Sequence, residues 1–336
     1  MKTNSTDAGH WSPVTAHAFG AVVAACLAMV SWPGYAQNYP VKLVRLIVPL
    51  APGGPSDILA RTMAQKMTEG FMQTVLVDNR TGAGGTIGTD IAAKSPADGY
   101  TILLIAVATY TINANLYKKL PFDPRKDLLP VSVLAGAPLI LTVHPALPVK
   151  SMKELIALAR ARPKDLNYGS GGSGTGPQMY MELLKLRTGM SVTHVPYKGT
   201  GQAMPDLIAG HVQVALFNMI ASLPAVQSGK LKAIAVTGPK RSARLPDTPS
   251  FTEAGVAGFE EYGGHMIMAP AGVPGDIVAR LHKELMRVLQ SPDVKSRLEQ
   301  EGADIIGNTP EQAAQLVRGD MDKWAEVIRK TGMKVE

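Results

Sequence analysis

The stretch Val48-Pro49-Leu50-Ala51-Pro52-Gly53-Gly54-Pro55-Ser56-Asp57 decides how the chain reads. Ahead of it, Leu43 to Pro49 is a short apolar run, the pattern of a strand buried on both faces. Behind it, Leu59, Met63 and Met67 recur at four-residue spacing with Ala60 and Ala64 beside them, which predicts a core-facing helix over Asp57–Thr68. The Pro/Gly turn between them leaves backbone N–H groups unpaired at a positive helix end. Such an end suits an anion, typically a carboxylate or phosphate. Gly53 and Gly54 allow close approach of a ligand, and the N–H groups from about Gly54 to Asp57 are the candidate donors, with Pro55 opening the helix between them. Ser56 could cap the helix or touch the ligand, while Asp57 in the first turn favours the dipole and orients the loop. Without a ligand the same residues read as an ordinary strand-to-helix turn.

Outward from this turn, strands and helices alternate. Thr74–Asp78 and Thr101–Val107 read as strands and Thr86–Ala93 as a short helix, a βαβ series that predicts an α/β fold with a parallel sheet. Val131–Val143 is a long apolar extended stretch, followed by a helix start at Ser151 with Glu154 three residues on as a capping box. A second series follows, with strands at Asn167–Ser170, Val192–Tyr197, Val212–Phe217 and Ala233–Thr237 and helices at Gln178–Arg187 and Met204–Ala209. A strand at Gly264–Ala269 and helices at Asp276–Gln290, Pro292–Glu301 and Pro310–Lys330 close the chain. Two α/β lobes with long extended connections suit a hinged receptor whose ligand sits at the carboxyl ends of the strands.

The second lobe carries its own glycine-rich turn, Ser170-Gly171-Gly172-Ser173-Gly174-Thr175, between a strand and a helix. Its small and hydroxyl residues make a poor core and a good polar cradle. No Lys follows the glycines, so it is not a P-loop, and neither Ser170 nor Ser173 completes a G-x-S-x-G nucleophile turn. A third turn, Gly82-Ala83-Gly84-Gly85-Thr86-Ile87-Gly88, imitates a dinucleotide fingerprint. The next strand ends without a ribose-reading residue, so no cofactor is expected and a structural turn is the better reading.

Composition narrows the function classes. The 336 residues carry 34 Lys and Arg against 27 Asp and Glu, a net +7 that suits an anionic ligand and equally a scatter of surface lysines. Aromatics are only 5% and no basic block is interleaved with them, which argues against nucleic acid. The histidines show no ligand spacing, so no metal is expected, and each reads as a surface or satisfied structural residue. The apolar run Ala18–Val30 followed by Gly34-Tyr35-Ala36 predicts a signal peptide over residues 1–36, cleaved after Ala36, hence a periplasmic protein. Val23-Ala24-Ala25-Cys26 resembles a lipoprotein box, but the apolar run continues through Val30 and puts Cys26 in mid-core. Cys26 is the only cysteine, so the cleaved chain has no disulfide, thiolate metal site or cysteine nucleophile. With no Ser/His/acid set, metal set or carboxylate pair to nominate, the chain reads as a binding protein, not an enzyme.

The ordered motifs carry a resemblance. Ile47-Val48-Pro49 with Ala51-Pro52-Gly53-Gly54 and Asp57, Asp78-Asn79-Arg80 with Gly82-Ala83-Gly84-Gly85, Asp98-Gly99-Tyr100-Thr101, His194-Val195-Pro196-Tyr197-Lys198-Gly199, Leu245-Pro246-Asp247 and Glu253-Ala254-Gly255 run the length of the chain. The sequence resembles the Bug-family extracytoplasmic solute receptors of the tripartite tricarboxylate transporter system. The resemblance implies a type II periplasmic-binding-protein fold, two α/β lobes around a ligand cleft, closing on a small carboxylate by hinge motion. The expected lobes are 37–137 plus 241–336 and 138–240. The implied partners are the ligand, a di- or tricarboxylate or an aromatic carboxylate, and the permease subunits of such a transporter, with the receptor monomeric. A sensor protein in place of the permease is one alternative, and a periplasmic α/β enzyme the other. In the family the carboxylate is gripped by the two strand-to-helix loops, which map onto Ala51–Asp57 and Ser170–Thr175. A His-Leu pair common in the second helix is Gln178-Met179 here, and an acidic residue common after the strand Val212–Phe217 is Asn218. Gln178 and Asn218 are therefore the expected seats of ligand choice, with Asn218 holding an ammonium less strongly than an acid would. That implies a ligand without an amine.

Overall fold

Leu46, Ile47 and Val48 are fully buried, as their unbroken apolar run requires, and they form the heart of β1 (Val44–Val48). The computed structural model describes residues 39–333 apart from 239 and 260. The expected leader and Cys26 lie outside the described residues. After β1 come α1 (Pro55–Phe71), β2 (Val75–Asn79), a single 3₁₀ turn at Ala83–Gly85, α2 (Thr86–Ala93), β3 (Thr101–Ala106) and α3 (Val107–Leu116). The chain continues through β4 (Leu128–Val143), α4 (Met152–Ala161), β5 (Asn167–Ser170), α5 (Gly176–Thr188), β6 (Thr193–Pro196) and α6 (Thr200–Ala209). It ends with β7 (Val214–Asn218), α7 (Met219–Gln227), β8 (Lys232–Val236), β9 (Tyr262–Pro270), α8 (Gly275–Leu289), α9 (Pro292–Gln300), β10 (Asp304–Ile305) and α10 (Pro310–Thr331).

The α/β expectation holds, with one correction to the sheet. β1 pairs in parallel with β2 and β3, and β5 in parallel with β6 and β7, as βαβ units must. β9 and β4, however, run antiparallel to their neighbours: β9 lies between β3 and β4, and β4 pairs with β7 and β8. The physical reason is the length of β4. Its first part, Leu128–Pro138, pairs with β9, and from Leu139 to Val143 it pairs with β7 and β8, so one strand belongs to both lobes. A strand that crosses between two parallel sheets enters each along its return direction.

Cores form on both sides of this crossing. Ile47, Leu103, Ile105, Val133 and Met266 pack in one, and Leu141, Val143, Tyr168, Leu184 and Leu216 in another. The last helix, α10, begins with a capping box at Thr309 and Gln312. It ties both together: Val317 and Met321 pack in the first core, while Trp324, fully buried, packs in the second against Tyr180 at 5.6 Å. Ser151 caps α4 by accepting from the Glu154 N–H, as its spacing predicts. The helices α3 and α7 carry no Gly/Pro start signal; each begins directly at a strand end and is buried on nearly every side. Among the described residues no helix is long and apolar enough to cross a membrane.

Candidate ligand-binding cleft

The carboxyl ends of β1, β3, β5 and β7 each feed straight into a helix, so four helix N-termini gather where the strands stop. The N-terminus of α6 joins them. One cavity of about 50 Å³ is lined by the first residues of all five: Pro55 and Ser56 of α1, Ala108 and Thr109 of α3, Gly176 and Pro177 of α5, Thr200 of α6, and Asn218, the N-cap of α7. Leu139, Tyr180, Gly263, Gly264 and His265 complete the wall. Among the described residues no Lys, Arg, Asp or Glu lines it. The positive potential inside thus comes from helix ends, an arrangement that stabilises an anion without a cationic side chain. A wider opening of about 530 Å³ shares Leu50 and Gly171 with this cavity and is lined further by Gly84, Gly172, Ser173, Tyr197 and Lys198.

The first loop is braced by a carboxylate. Gly53 takes a positive φ of 80°, Gly54 is the N-cap, and Pro55 fills the first helical position. The Asp57 Oδ2 atom accepts from the Gly53 N–H at 2.9 Å and from Arg61 Nε at 3.0 Å. Arg61 in turn reaches Asn79 Oδ1, and Asn79 donates to the Leu50 carbonyl. Burial raises the pKa of Asp57, but the bonds from Arg61, Gly53 and Asn79 together outweigh it, and the carboxyl sits below its ordinary value. Ser56, buried, is the second residue of α1 and does not cap it; its side chain lines the cavity.

The second loop is braced by neutral groups. Ser170 Oγ accepts from the Gly172 N–H at 3.0 Å and lies 2.7 Å from His194 Nε2. His194 Nδ1 lies 3.3 Å from Gln178 Nε2, and Gln178 Oε1 accepts from the Gly174 N–H at 2.6 Å. The consistent assignment has Gln178 donating to Nδ1 and the imidazole donating through Nε2 to Ser170. Thr175 Oγ1 donates to the Gly172 carbonyl. The histidine is thereby a structural strut stacked on Tyr168, with centroids 4.9 Å apart. Ser170 is fully buried, and the other ring nitrogen of His194 faces the Gln178 amide.

The two loops that the sequence singled out both contribute to the lining of one cavity, the first resting on the start of α6 and the second on the Gly84 turn and α3. The Ala51 N–H donates to the Lys198 carbonyl at 3.0 Å, and Tyr117 Oη donates to the Ser173 carbonyl at 3.4 Å. A Cβ at Gly201 would overlap the Pro52 carbonyl and lie 2.9 Å from the Gly53 carbonyl carbon; one at Gly84 would overlap the Ser173 carbonyl. Of the sequence-nominated residues, Pro55, Ser56, Thr175 and Asn218 line that cavity and Gly172 and Ser173 the wider opening. Gly53, Gly54, Asp57, Ser170, Gly174 and Gln178 line neither and stand behind those walls as their support. Asn218 is bonded on both sides: Oδ1 accepts from the Ile220 N–H, and Nδ2 donates to the Gly263 carbonyl on β9. Sequence reasoning missed the α3 start, Thr200 and His265. Thr200 directly follows the quoted Tyr197-Lys198-Gly199 motif and could have been found; α3 begins at Val107 in an unbroken apolar run that gives no signal.

With the geometry in place, the likeness to known proteins can be read residue range by residue range. Residues 59–333 match the family model described as "Tripartite tricarboxylate transporter family receptor". The chain belongs to this receptor family. Protein BugT of Bordetella pertussis is 36% identical over 308 residues, covering 91% of this chain and 94% of that protein. The periplasmic binding protein BugD superposes with a TM-score of 0.86 at 33% identity, covering 89% of this chain and 100% of BugD. An R. palustris protein solved with adipate gives 0.85 at 35% identity over 88% of this chain and 99% of its own. MatC from Rhodopseudomonas palustris, with bound malate, gives 0.84 at 32% identity over 86% and 100%. This receptor thus has the two-lobe α/β fold of periplasmic binding proteins, and receptors of the same family have been solved with small dicarboxylates.

Proposed function

We propose that the chain is a periplasmic receptor that captures a small organic carboxylate by hinge closure, without turnover, and hands it to the membrane permease of a tripartite tricarboxylate transporter. The observation that carries this reading is the convergence of five helix N-termini on one cavity lined by no charged side chain. An amine would meet the same helix ends unfavourably, and Asn218, a neutral amide bonded to the Ile220 and Gly263 backbone, offers it no charge partner. Adipate and malate in the related receptors support the dicarboxylate class. The lobes run from 37 to 137 with 241 to 336, and from 138 to 240; the change of partner along β4 at Pro138–Leu139 supports that division. Gly53, Gly54, Pro55, Ser56 and Asp57 form one jaw, and Ser170, Gly172, Ser173, Gly174, Thr175 and Gln178 form the other. The chain is exported by its leader, cleaved after Ala36, and acts as a monomer.

Mass spectrometry of small molecules released on denaturing the purified protein tests this. A small carboxylic acid without an amine is the expected species. Recovery of amino acids or polyamines alone, in proportion to protein, would refute the reading.

A further inference from the structure

β4, the strand that belongs to both lobes, has a second face, and so does its partner β9. Leu139 of β4 and Gly263 and His265 of β9 line the cavity, whereas Pro138 and Tyr262, one residue earlier on each strand, line a groove of about 850 Å³. Successive residues of a strand point to opposite faces of a sheet. Pro138 pairs with Tyr262 in register, so the cavity lies in front of the two strands and the groove behind them. Through Arg244, Ser296 and Gln300 the groove runs on into a second void of about 770 Å³ between two helices. Leu223, Pro224 and Gln227 of α7 form one wall of that void, and Ser296, Arg297 and Gln300 of α9 the other.

The two helical walls belong to different lobes, α7 to the lobe 138–240 and α9 to the other. α7 also reaches the front, since its N-cap Asn218 lines the cavity. Between cavity and groove the lobes touch: Met219, the first residue of α7, is fully buried, and a Cβ at Gly302 would overlap its Sδ atom. In front they touch again, where the Ala51 N–H reaches the Lys198 carbonyl and a Cβ at Gly201 would overlap the Pro52 carbonyl. Behind, α7 and α9 stand apart across the void. A rotation of the lobes about strands placed between the two spaces narrows one as it widens the other.

We infer that the groove between α7 and α9 controls closure from behind: bulk that fills it holds the lobes together on the cavity side and raises ligand affinity without touching the ligand. This rests on the hinged, carboxylate-binding reading proposed above. Packed side chains resist compression, so a group seated between the helices opposes the swing that would bring them together and open the front. A receptor that is closed only part of the time binds with its closed-state affinity reduced by that fraction, and the wedge removes the reduction. Ser296 and Gln227 are the positions to fill. Both are exposed, they stand on opposite walls, and neither lines the cavity.

Ser296→Trp and Gln227→Trp test the inference, with Lys153→Trp on the exposed side of α4 as the control. Small-angle scattering of the ligand-stripped proteins comes first. Each wedge should give a smaller radius of gyration than wild type, and the control should not. Titration calorimetry with adipate and malate comes second: whichever acid wild type binds should bind about five-fold or more tighter to the wedges, with unchanged affinity in the control. Thermal melts establish that each variant is folded, and either wedge alone suffices if the other is not. Wild-type scattering in the wedges, or affinity that they leave unchanged or weaken, overturns the inference while leaving the carboxylate reading standing. If wild type binds neither acid, the carboxylate reading fails for both, and the scattering comparison alone decides the role of the groove.

Discussion

The two jaws aim helix ends at the same cavity and are built from different chemistry. The first, Ala51–Asp57, is held by an ionised carboxylate whose charge is answered by Arg61 and kept off the cavity wall. The second, Ser170–Thr175, is held by hydroxyl, amide and imidazole groups with no formal charge. The difference follows from position. Asp57 lies in the first turn of α1, where the dipole welcomes a carboxylate and a guanidinium one turn on can neutralise it. Within the second loop Ser170 is fully buried and Gln178 nearly so, and a charge there would be desolvated without compensation. Both solutions leave the helix N–H groups as the main source of positive potential.

The contact between the first loop and the start of α6 is the most sensitive part of the arrangement. Gly201→Ala places a methyl group against the Pro52 carbonyl at a helical position that favours alanine, so the lobe should stay folded while closure is blocked. Ligand affinity should fall about 100-fold or more if the closed state is what binds, with no compaction in small-angle scattering on adding ligand. Wild-type affinity in this variant would mean that the seam is not the closed state's interface.

Asp57→Ala should come next. It removes the acceptor of Gly53 and Arg61, a charge-assisted pair of bonds worth about 2 kcal/mol, measured by urea unfolding at pH 7. Because the folded pKa lies below the ordinary carboxylate value, that stabilisation is complete above the unfolded pKa of 3.8 and is lost as pH falls through the folded value. The wild-type and variant stabilities should therefore converge only in strong acid. Ser170→Ala should cost least, about 1 kcal/mol at pH 7, from leaving the Gly172 N–H and the His194 ring nitrogen without their hydroxyl partner. If the Asp57 variant showed no convergence in acid, the contrast between the jaws would be lost.

Much of this was readable in the chain. The turn at Gly53–Gly54 and the loop at Ser170–Thr175 announce themselves because glycine and proline punctuate a strand-to-helix junction, and the family motifs around Asp78 and His194 are long. The antiparallel course of β4 and β9 was not legible, since a buried strand reads as the same apolar run in either direction. The starts of α3 and α7 were hidden for a similar reason: Ala106-Val107-Ala108 continues the hydrophobicity of the strand before it, and burial on all sides erases the amphipathic stripe. His265 was invisible because an isolated histidine in Gly-Gly-His-Met has no spacing partner. Only the fold brings it to the cavity wall.

The central claim is that helix ends in a closed cleft hold a carboxylate, and exchanging the charge on one ligand tests it most directly. Whichever dicarboxylate proves tightest in calorimetry should be compared with its mono- and diamide, which keep the shape and remove the anion. The account predicts that the diamide loses binding by at least 100-fold and that one of the two charges matters far more than the other. Diamide affinity within a few-fold of the acid would contradict it, since helix-end potential would then not be what holds the ligand.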